Sequence, residues 1–313
     1  MLVFSFSKSI LSIVEYILFA FLALLASTGN TIFNRLGANH VSALTNSTIK
    51  SFFIVVACFI ISAIYGHIPV LYSLSWQEWL WIGALGALTC LDWFFYFLAI
   101  KRSHLEAFAP FCASGILFFS NTVFLIFTFG MVTNGGKPLN VVLYIIGLLF
   151  LLGSLFYILF NKKINPSNKK LWIVYGLVSV ITFAFVLLIA KTKLSHIPSD
   201  IIAFHQMTIV FIVMLVASLL SGAIKEIPQI KSMDHLYIFI GAVFNALMMI
   251  FRYNAFSYPN SVPAIINVII GLDFVLVSTS TVFFFKEKNK TQLSIVIILV
   301  ILGMIFDVVA GLI

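Results

Sequence analysis

Charged residues are scarce in this chain. Asp, Glu, Lys and Arg together make up 9% of its 313 residues, whereas 62% are apolar, and the mean hydropathy is +1.15. This excludes a soluble globular fold, because soluble surfaces are rich in charged side chains. A membrane-spanning helix needs about 20 consecutive apolar residues, and such runs recur here with short polar breaks. We therefore predict an integral, multi-pass protein of the inner or plasma membrane.

Cysteine and catalytic motifs are also scarce. Cys58, Cys90 and Cys112 lie inside apolar runs without CxxC or metal-ligand spacing, so we interpret them as small buried side chains. The sequence has no GxSxG, HExxH or paired-aspartate diphosphate motif, which argues against an enzyme. We predict no cofactor and no metal.

The net charge of +8 does not indicate a nucleic-acid partner, because the basic residues sit mainly in short loops. Such residues set the orientation of a membrane protein, since positive charge collects on the cytoplasmic side. With ten spans, most basic residues fall on the face opposite the termini. The charge count therefore predicts that both termini lie outside the cytoplasm.

The strongest positive feature is an internal repeat. Shifted by 156 positions, residues 251–287 align without a gap on residues 95–131. One constant offset over almost half of the chain indicates a duplication. The same offset pairs further identical residues: Ser62 with Ser218, Gly66 with Gly222, Gly115 with Gly271, and Gly147 with Gly303.

The apolar pattern predicts ten spans, five in each copy. We predict a first five-helix repeat over 13–160, a hydrophilic linker over 161–170 and a second five-helix repeat over 171–312. The fold class is an all-α polytopic membrane protein with ten transmembrane helices. The predicted spans are Val14–Leu36, Ala43–Ile64, Trp76–Ile100, Leu105–Phe129, Leu139–Phe160, Leu171–Lys191, Ser199–Ser221, Asp234–Ser257, Ser261–Phe285 and Thr291–Leu312.

The odd number of spans per copy has a mechanical consequence. The sixth helix must enter the membrane from the side opposite the first, so the two five-helix repeats are predicted to be inverted. Inverted repeats recur in secondary transporters, which bind substrate near the midplane between the halves. We expect alternating access. A duplicated scaffold that transports nothing is the alternative from a different class.

Five charged residues are expected at membrane depth: Asp273, Asp92, Lys50, Arg252 and Asp307. The first four are candidate substrate-binding groups, and we interpret Asp307, near the end of the last helix, as interfacial or structural. A charge in the bilayer costs about 2.5–3.5 kcal/mol on insertion scales, so it faces a cavity or a partner. Both candidate aspartates have apolar repeat mates, which favours a ligand or proton role. A salt bridge to Lys50 or Arg252 is the alternative for Asp273, and snorkelling from near a helix end is the alternative for Arg252.

Neutral polar residues complete the candidate site. Gln206 is the repeat mate of Lys50, and Tyr96 is the mate of Arg252. Helix-to-helix hydrogen bonding and ligand contact both remain open for the Lys50–Gln206 position. Amides would be unsatisfied against lipid, so we expect them to point inward. These amides are Asn30, Asn34, Asn121, Asn245 and Asn267, of which Asn34, Asn121 and Asn267 join the substrate-binding candidates.

Glycine and proline also carry expectations. Pro110 removes one helical hydrogen bond, and an interrupted helix at depth is tolerated only where protein or a cavity covers it. We therefore expect helix 4 to line the cavity.

Small residues let helices approach closely, and we expect this of Gly83, Gly86, Gly115, Gly271 and Gly303.

The end of the chain carries a family resemblance. The segment FFFKEKNKTQLSIVIILVILGMIFDVV has Glu287 in a turn before the last helix and Gly303 within that helix, and Lys50 stands early in helix 2. These features resemble the drug/metabolite transporter superfamily, EamA type, in which helix 9 ends in a glutamate-bearing turn and the helix 2 position is usually arginine.

The first copy departs from this pattern. The segment FGMVTNGGKP has no glutamate after helix 4, and the proline common in the middle of helix 9 is missing near Asp273. The family's termini are usually cytoplasmic, in contrast to the charge count above.

The resemblance implies a transporter of small metabolites. We predict a secondary transporter that moves a small polar or amphipathic metabolite by alternating access, with a cavity lined by helices 1, 3, 4, 6, 8 and 9. Asp273 and Asp92 would bind a cationic group or couple protons. Lys50 and Arg252 would balance these acids or hold a substrate carboxylate or phosphate.

Two alternatives stay open for the function. One is uncoupled exchange of metabolites, and the other is a non-transporting scaffold or partner subunit. The expected partners are a small-molecule substrate and the lipid bilayer, and we expect a monomer or a homodimer.

Overall fold

The computed structural model describes a chain that is helical throughout. Over the described residues there are ten α-helices of nine residues or more and no strand. The described residues are 2–38, 41–103, 105–127, 140–161, 171–258, 261–273, 275–277 and 290–312. The helices are α1 (Leu2–Ala38), α2 (Ala43–Ile64), α3 (Trp76–Arg102), α4 (Leu105–Phe127), α5 (Val141–Phe160), α6 (Leu171–Lys193), α7 (Ser199–Ser221), α8 (Ser232–Ser257), α9 (Pro263–Gly271) and α10 (Lys290–Leu312).

Seven of these helices are long and apolar enough to cross a membrane, namely α1, α2, α3, α5, α6, α7 and α8. The other apolar stretches are shorter: Phe111–Val123 in α4, Ser294–Ala310 in α10, and one that begins at Ile265 in α9 and reaches Val277 beyond its end, with residue 274 outside the described residues. A chain with this many apolar helices is a polytopic membrane protein, as the composition predicts.

Helix α1 starts earlier than predicted. It begins at Leu2 instead of Val14, because residues 2–13 contain neither glycine nor proline to break a helix. Helix α3 begins where predicted and is fixed by a capping box. The Ser75 hydroxyl accepts a hydrogen bond from the Glu78 amide, and the Glu78 carboxylate accepts one from the Ser75 amide.

Helix α9 is shorter than the predicted span Ser261–Phe285. It begins at Pro263, whose fixed φ suits a first helical turn, and it ends at Gly271. The next amide, that of Leu272, is shared between the carbonyl oxygens three and four residues earlier, both at 3.2 Å. Such shared bonds are common at helix termini. The end of the predicted span, 278–285, lies outside the described residues.

Helices α2 and α7 end in the same way. Each has the bounds that the sequence predicts, and a glycine follows each of them, Gly66 at φ 73° and Gly222 at φ 75°. Positive φ is readily available to glycine, which explains this residue type at both positions. A short 3-10 segment follows each glycine, at Ile68–Tyr72 and Ala223–Gln229.

The ends of α3 and α8 are capped by basic side chains. The guanidinium of Arg35, on α1, donates to the carbonyl oxygen of Ile100 in α3. The ammonium of Lys191, on α6, donates to the carbonyl oxygen of Phe256 in α8 at 2.8 Å. Cations suit helix C-termini because the last carbonyl groups are unpaired and partially negative. Both the donors and the acceptors are 156 residues apart.

Helix packing follows a regular scheme. Helix α1 packs on α8 and α3 packs on α6, while α4 packs on α6 and α9 packs on α1. Helix α2 packs on α7, and α5 packs on α10. Each contact in this scheme is kept when every helix is exchanged for the helix five positions away.

Four of the five glycines behave as predicted. An added Cβ would lie within 3.0 Å of a neighbouring side chain at Gly86, Gly115, Gly271 and Gly303, so no larger residue fits there without a shift. The prediction for Gly83 is wrong, since a Cβ there would meet nothing within 4 Å.

Candidate functional site

A cavity opens between the two halves of the chain, α1–α5 and α6–α10. It holds about 970 Å³ of space between atoms, including the open space at its mouth. Helices α1, α3, α4, α6, α8 and α9 line it as expected, and α2 adds one side chain, Lys50. Helix α4 continues through Pro110 without a break.

Seven of the nine candidate residues line this cavity, although they come from five different helices and the segment after α9. They are Asp273, Asp92, Lys50, Arg252, Tyr96, Asn34 and Asn267. Two basic and two acidic side chains therefore share one space, and their formal charges cancel.

Lys50 is held by amide oxygens. It is 1% exposed, and its Nζ donates to Asn30 Oδ1 at 2.5 Å and to Asn34 Oδ1. The Asn245 side chain also donates to Asn30 Oδ1, at 3.2 Å. Two aromatic rings of α3 lie 5.3 and 5.6 Å from the ammonium, which favours a buried cation. The lysine thereby joins α2 to α1 at the cavity wall.

Arg252 has hydrogen-bonding capacity to spare. It is 6% exposed, so the snorkelling alternative is wrong. One face of the guanidinium covers the Phe183 ring, 5.0 Å from its centre, and in the described part of the chain the buried Nε has no hydrogen-bond partner. Within the described residues, neither Arg252 nor Lys50 forms an ion pair within 4.0 Å.

The two aspartates accept hydrogen bonds from serines of the opposite half. Asp92 Oδ1, on α3, accepts from the Ser179 hydroxyl on α6 at 2.5 Å. Asp273 Oδ2, which follows α9, accepts from the Ser27 hydroxyl on α1 at 2.5 Å. Hydrogen bonds to charged groups are among the stronger ones, so both pairs link the halves across the cavity.

The remaining walls are apolar and include aromatic rings from three helices. Trp93, Tyr96 and Phe97 come from α3, Phe108 from α4, and Phe183 from α6. Large apolar faces beside a few polar groups are the usual lining of a small-molecule site. The lining suits a ligand with a polar end and an apolar body.

Gln206 lies beside this cavity instead of in it. Its Nε2 donates to Thr89 Oγ1 at 2.6 Å, and its Oε1 accepts from the Tyr253 hydroxyl at 2.7 Å. It lines a smaller cavity of about 340 Å³ that shares Arg252 and Trp93 with the larger one. With these partners, Gln206 joins α7 to α3 and α8.

Asn121 lies away from the cavity. It is on α4, and its Nδ2 contacts Asp307 Oδ2 of α10 at 2.6 Å. It is fully buried and sits on a part of α4 that faces α5 and α10. The Asn121 amide points into the protein interior, as expected, but it does not line the cavity.

Several polar lining residues were absent from the candidate set. Asn30 and Asn245 were expected to point inward but were not assigned to the site, and both belong to the Lys50 network. Ser27 and Ser179 had no signal in the sequence, because a single serine in an apolar helix carries no information about its partner. Which carboxylate each serine bonds to is set by the packing of helices from opposite halves.

Comparison with known proteins gives a family for the second half. Residues 170–308 match the EamA-like transporter family, which is part of the drug/metabolite transporter superfamily. The resemblance predicted from the sequence is thereby confirmed. Glu287, which carries part of it, lies within the match but outside the described residues. No curated protein matches the chain.

Solved structures share the fold. A protein known from a crystal structure superposes on 94% of this chain and 97% of its own length with a TM-score of 0.64. The two sequences are 14% identical, so this likeness concerns the fold alone. The family match points to a membrane transporter of the drug/metabolite type and not to an enzyme. The chain is therefore an integral, multi-pass membrane protein whose second half has the sequence of an EamA-like transporter.

Proposed function

We propose that this protein is a secondary transporter that moves a small polar or amphipathic metabolite by alternating access. One observation carries the proposal: both halves of the chain build a single cavity that holds four charged side chains at membrane depth. Charges at that depth are costly unless they serve a ligand or a partner. Transporters of inverted-repeat architecture have their substrate sites between the halves.

The proposal includes two inverted five-helix repeats, over 13–160 and 171–312, joined by a linker at 161–170. The exchange symmetry of the helix contacts supports it, as do the glycines at positive φ, Gly66 and Gly222. The basic caps Arg35 and Lys191 support it as well, since they and their acceptors are repeat mates. Because five spans is an odd number, such repeats have opposite orientations in the membrane.

Arg252 is the residue that we expect to hold an anionic group of the substrate. Its Nε is buried without a partner, and its stacked guanidinium leaves an edge for an oxyanion. Arginine binds carboxylate and phosphate with a planar, two-pronged geometry. Lys50 would add positive potential but is already bonded to two amide oxygens.

Asp92 and Asp273 are expected to receive a cationic group of the substrate or a proton. Each is already bonded to a serine of the opposite half. A ligand or proton that alters these bonds would alter the contact between the halves. Occupancy of the cavity would then be coupled to the switch between the state open to one side of the membrane and the state open to the other.

The test starts with a thermal-shift screen of the purified protein against a metabolite library, since a ligand that binds only the folded state raises the melting temperature. We expect the ligands found to carry a carboxylate or phosphate. Arg252→Gln should weaken their binding about tenfold or more, as expected for loss of a charged hydrogen bond. Lys225→Gln is the control, because Lys225 is exposed and remote from the cavity.

Uptake into proteoliposomes then separates the alternatives. A proton-coupled transporter responds to an imposed pH gradient, an exchanger requires substrate on the far side, and a scaffold moves nothing. Asp273→Asn is expected to abolish or uncouple transport while the protein still inserts. Normal uptake with an unchanged pH response in that variant would remove Asp273 from the mechanism.

A further inference from the structure

Another buried acid lies away from both cavities, where α4, α5 and α10 meet. Asp307 of α10 is 0% exposed. Its Oδ2 lies 2.6 Å from Asn121 Nδ2, and its Oδ1 has no hydrogen-bond partner among the residues that the structure describes. Among the described residues it forms no ion pair within 4.0 Å. The transport proposal above makes no use of this group.

No cation is available to Asp307 from the helices around it. The sequences of α4, α5 and α9 contain no Lys, Arg or His. The basic residue of α10, Lys290, is 17 residues away, or about 25 Å along the helix. The titratable side chain that faces Asp307 is Tyr144 of α5, whose hydroxyl donates to the backbone oxygen of Asn121 at 3.0 Å. Within the part of the chain that the structure describes, the hydrogen-bond contact of Asp307 is therefore with a neutral group.

An ionised carboxylate in this place would be poorly supported. Its Oδ1 has no donor, and the side-chain Oδ1 of Asn121 is a second buried acceptor without one. A buried carboxylate without a compensating partner is so costly that it takes up a proton instead. One proton on the carboxyl group removes this charge and adds one O–H donor, which the side-chain oxygen of Asn121 can accept.

The geometry of the contact agrees with a carboxylic acid. A distance of 2.6 Å is short for an amide donor and ordinary for an O–H donor. The nitrogen and oxygen of a side-chain amide are assigned and not observed directly. A half-turn of the Asn121 amide would bring its oxygen to Asp307, where it could accept the carboxyl proton.

We propose that Asp307 is a proton-binding site, separate from the cavity, and that at neutral pH it is a carboxylic acid whose O–H donates to the Asn121 side-chain oxygen. The bond joins α10 to α4. Since α4 also lines the cavity through Phe108 and Cys112, the proton holds one cavity wall against α5 and α10. This inference does not depend on what the cavity binds.

Infrared spectroscopy of the full chain in lipid nanodiscs tests the proposal. A protonated carboxylic acid gives a C=O band that an ionised carboxylate lacks, and the band shifts in D2O. For an aspartate with the ordinary pKa of about 3.9, the ionised form outnumbers the protonated form about a thousandfold at pH 7. We expect an acid band at pH 7 that disappears in Asp307→Asn and persists in the control Asp234→Asn.

A second measurement guards against misfolding of the variant. Asparagine is a neutral replacement of the same size, so Asp307→Asn should melt within a few degrees of the wild type at pH 7. Two results would overturn the proposal. One is the absence of any band at pH 7 that depends on Asp307. The other is a band that appears only when sodium is removed, which would make the site a metal-cation site.

Discussion

Gly147 and Gly303, which are 156 residues apart, face each other where α5 packs on α10. A Cβ added to Gly147 would lie 2.9 Å from the carbonyl oxygen of Gly303, and one added to Gly303 would lie 3.0 Å from the carbonyl oxygen of Gly147. A contact in which each residue meets the other is the mark of a two-fold relation. The repeat in the sequence thus coincides with a reciprocal contact in the structure.

Gly147→Ala is expected to destabilise the protein. Its added methyl would lie 2.2 Å from Asp307 Oδ1 as well as 2.9 Å from the Gly303 carbonyl oxygen, and overpacking of this kind costs about 1–3 kcal/mol. Thermal melting in detergent measures the effect. Gly83→Ala is the matched control, since its Cβ meets nothing within 4 Å and alanine favours the helix by up to about 1 kcal/mol. Equal melting temperatures for the two variants would contradict the packing described here.

Glu226 should make stability depend on acid. Hydrogen bonds from Ser42 and Thr45 lower the pKa of this carboxyl, which lies in the 3-10 segment between α7 and α8. A lowered pKa stabilises the folded state above the usual glutamate value of about 4.5, and this contribution is lost as the pH falls through the lower folded pKa. The wild type should therefore melt above Glu226→Gln at pH 7, with a gap that shrinks below about pH 4. A gap independent of pH would rule out this role for the charge.

Cys112 should report on the cavity. It is half-buried and lines the cavity, whereas Cys58 and Cys90 are buried in the helix packing. A small membrane-permeant thiol reagent is expected to label one cysteine, and Cys112→Ser should remove the label. Any ligand found in the thermal-shift screen should slow the reaction. If mass spectrometry still finds the label in Cys112→Ser, the reagent reaches a cysteine other than the one that lines the cavity, which would contradict this prediction.

Much of the fold follows from the sequence because membrane helices are long and locally determined. The apolar runs and their polar breaks predict both ends of α2 and α7. The extension of α1 to Leu2 and the end of α9 at Gly271 were not predicted. Hydropathy measures how apolar a segment is, not where its helical hydrogen bonds stop. The end of α9 near Asp273 lies inside a continuous apolar run, so hydropathy cannot locate it.

The candidate site is predictable in part for a different reason. The cost of a charge in the bilayer singles out five residues by their positions in apolar runs, and four of them line the cavity, the exception being Asp307. Amides and hydroxyls are cheaper to bury, so they serve equally as contacts between helices. Asn121 shows this ambiguity, because it bonds to Asp307 away from the cavity. Only the packing of the helices separates the two uses.

The inversion of the two halves is the central claim, and labelling at two repeat mates tests it most directly. Ser73 and Gln229 are 156 residues apart, and both are exposed. Ser73 directly follows the 3-10 segment after α2, and Gln229 is the last residue of the 3-10 segment after α7. Each is replaced by cysteine in a Cys112→Ser background and treated with a membrane-impermeant thiol reagent in sealed proteoliposomes of known orientation. Inverted repeats predict that Ser73→Cys and Gln229→Cys react from opposite sides of the membrane. Reaction of both from the same side would contradict the inverted arrangement.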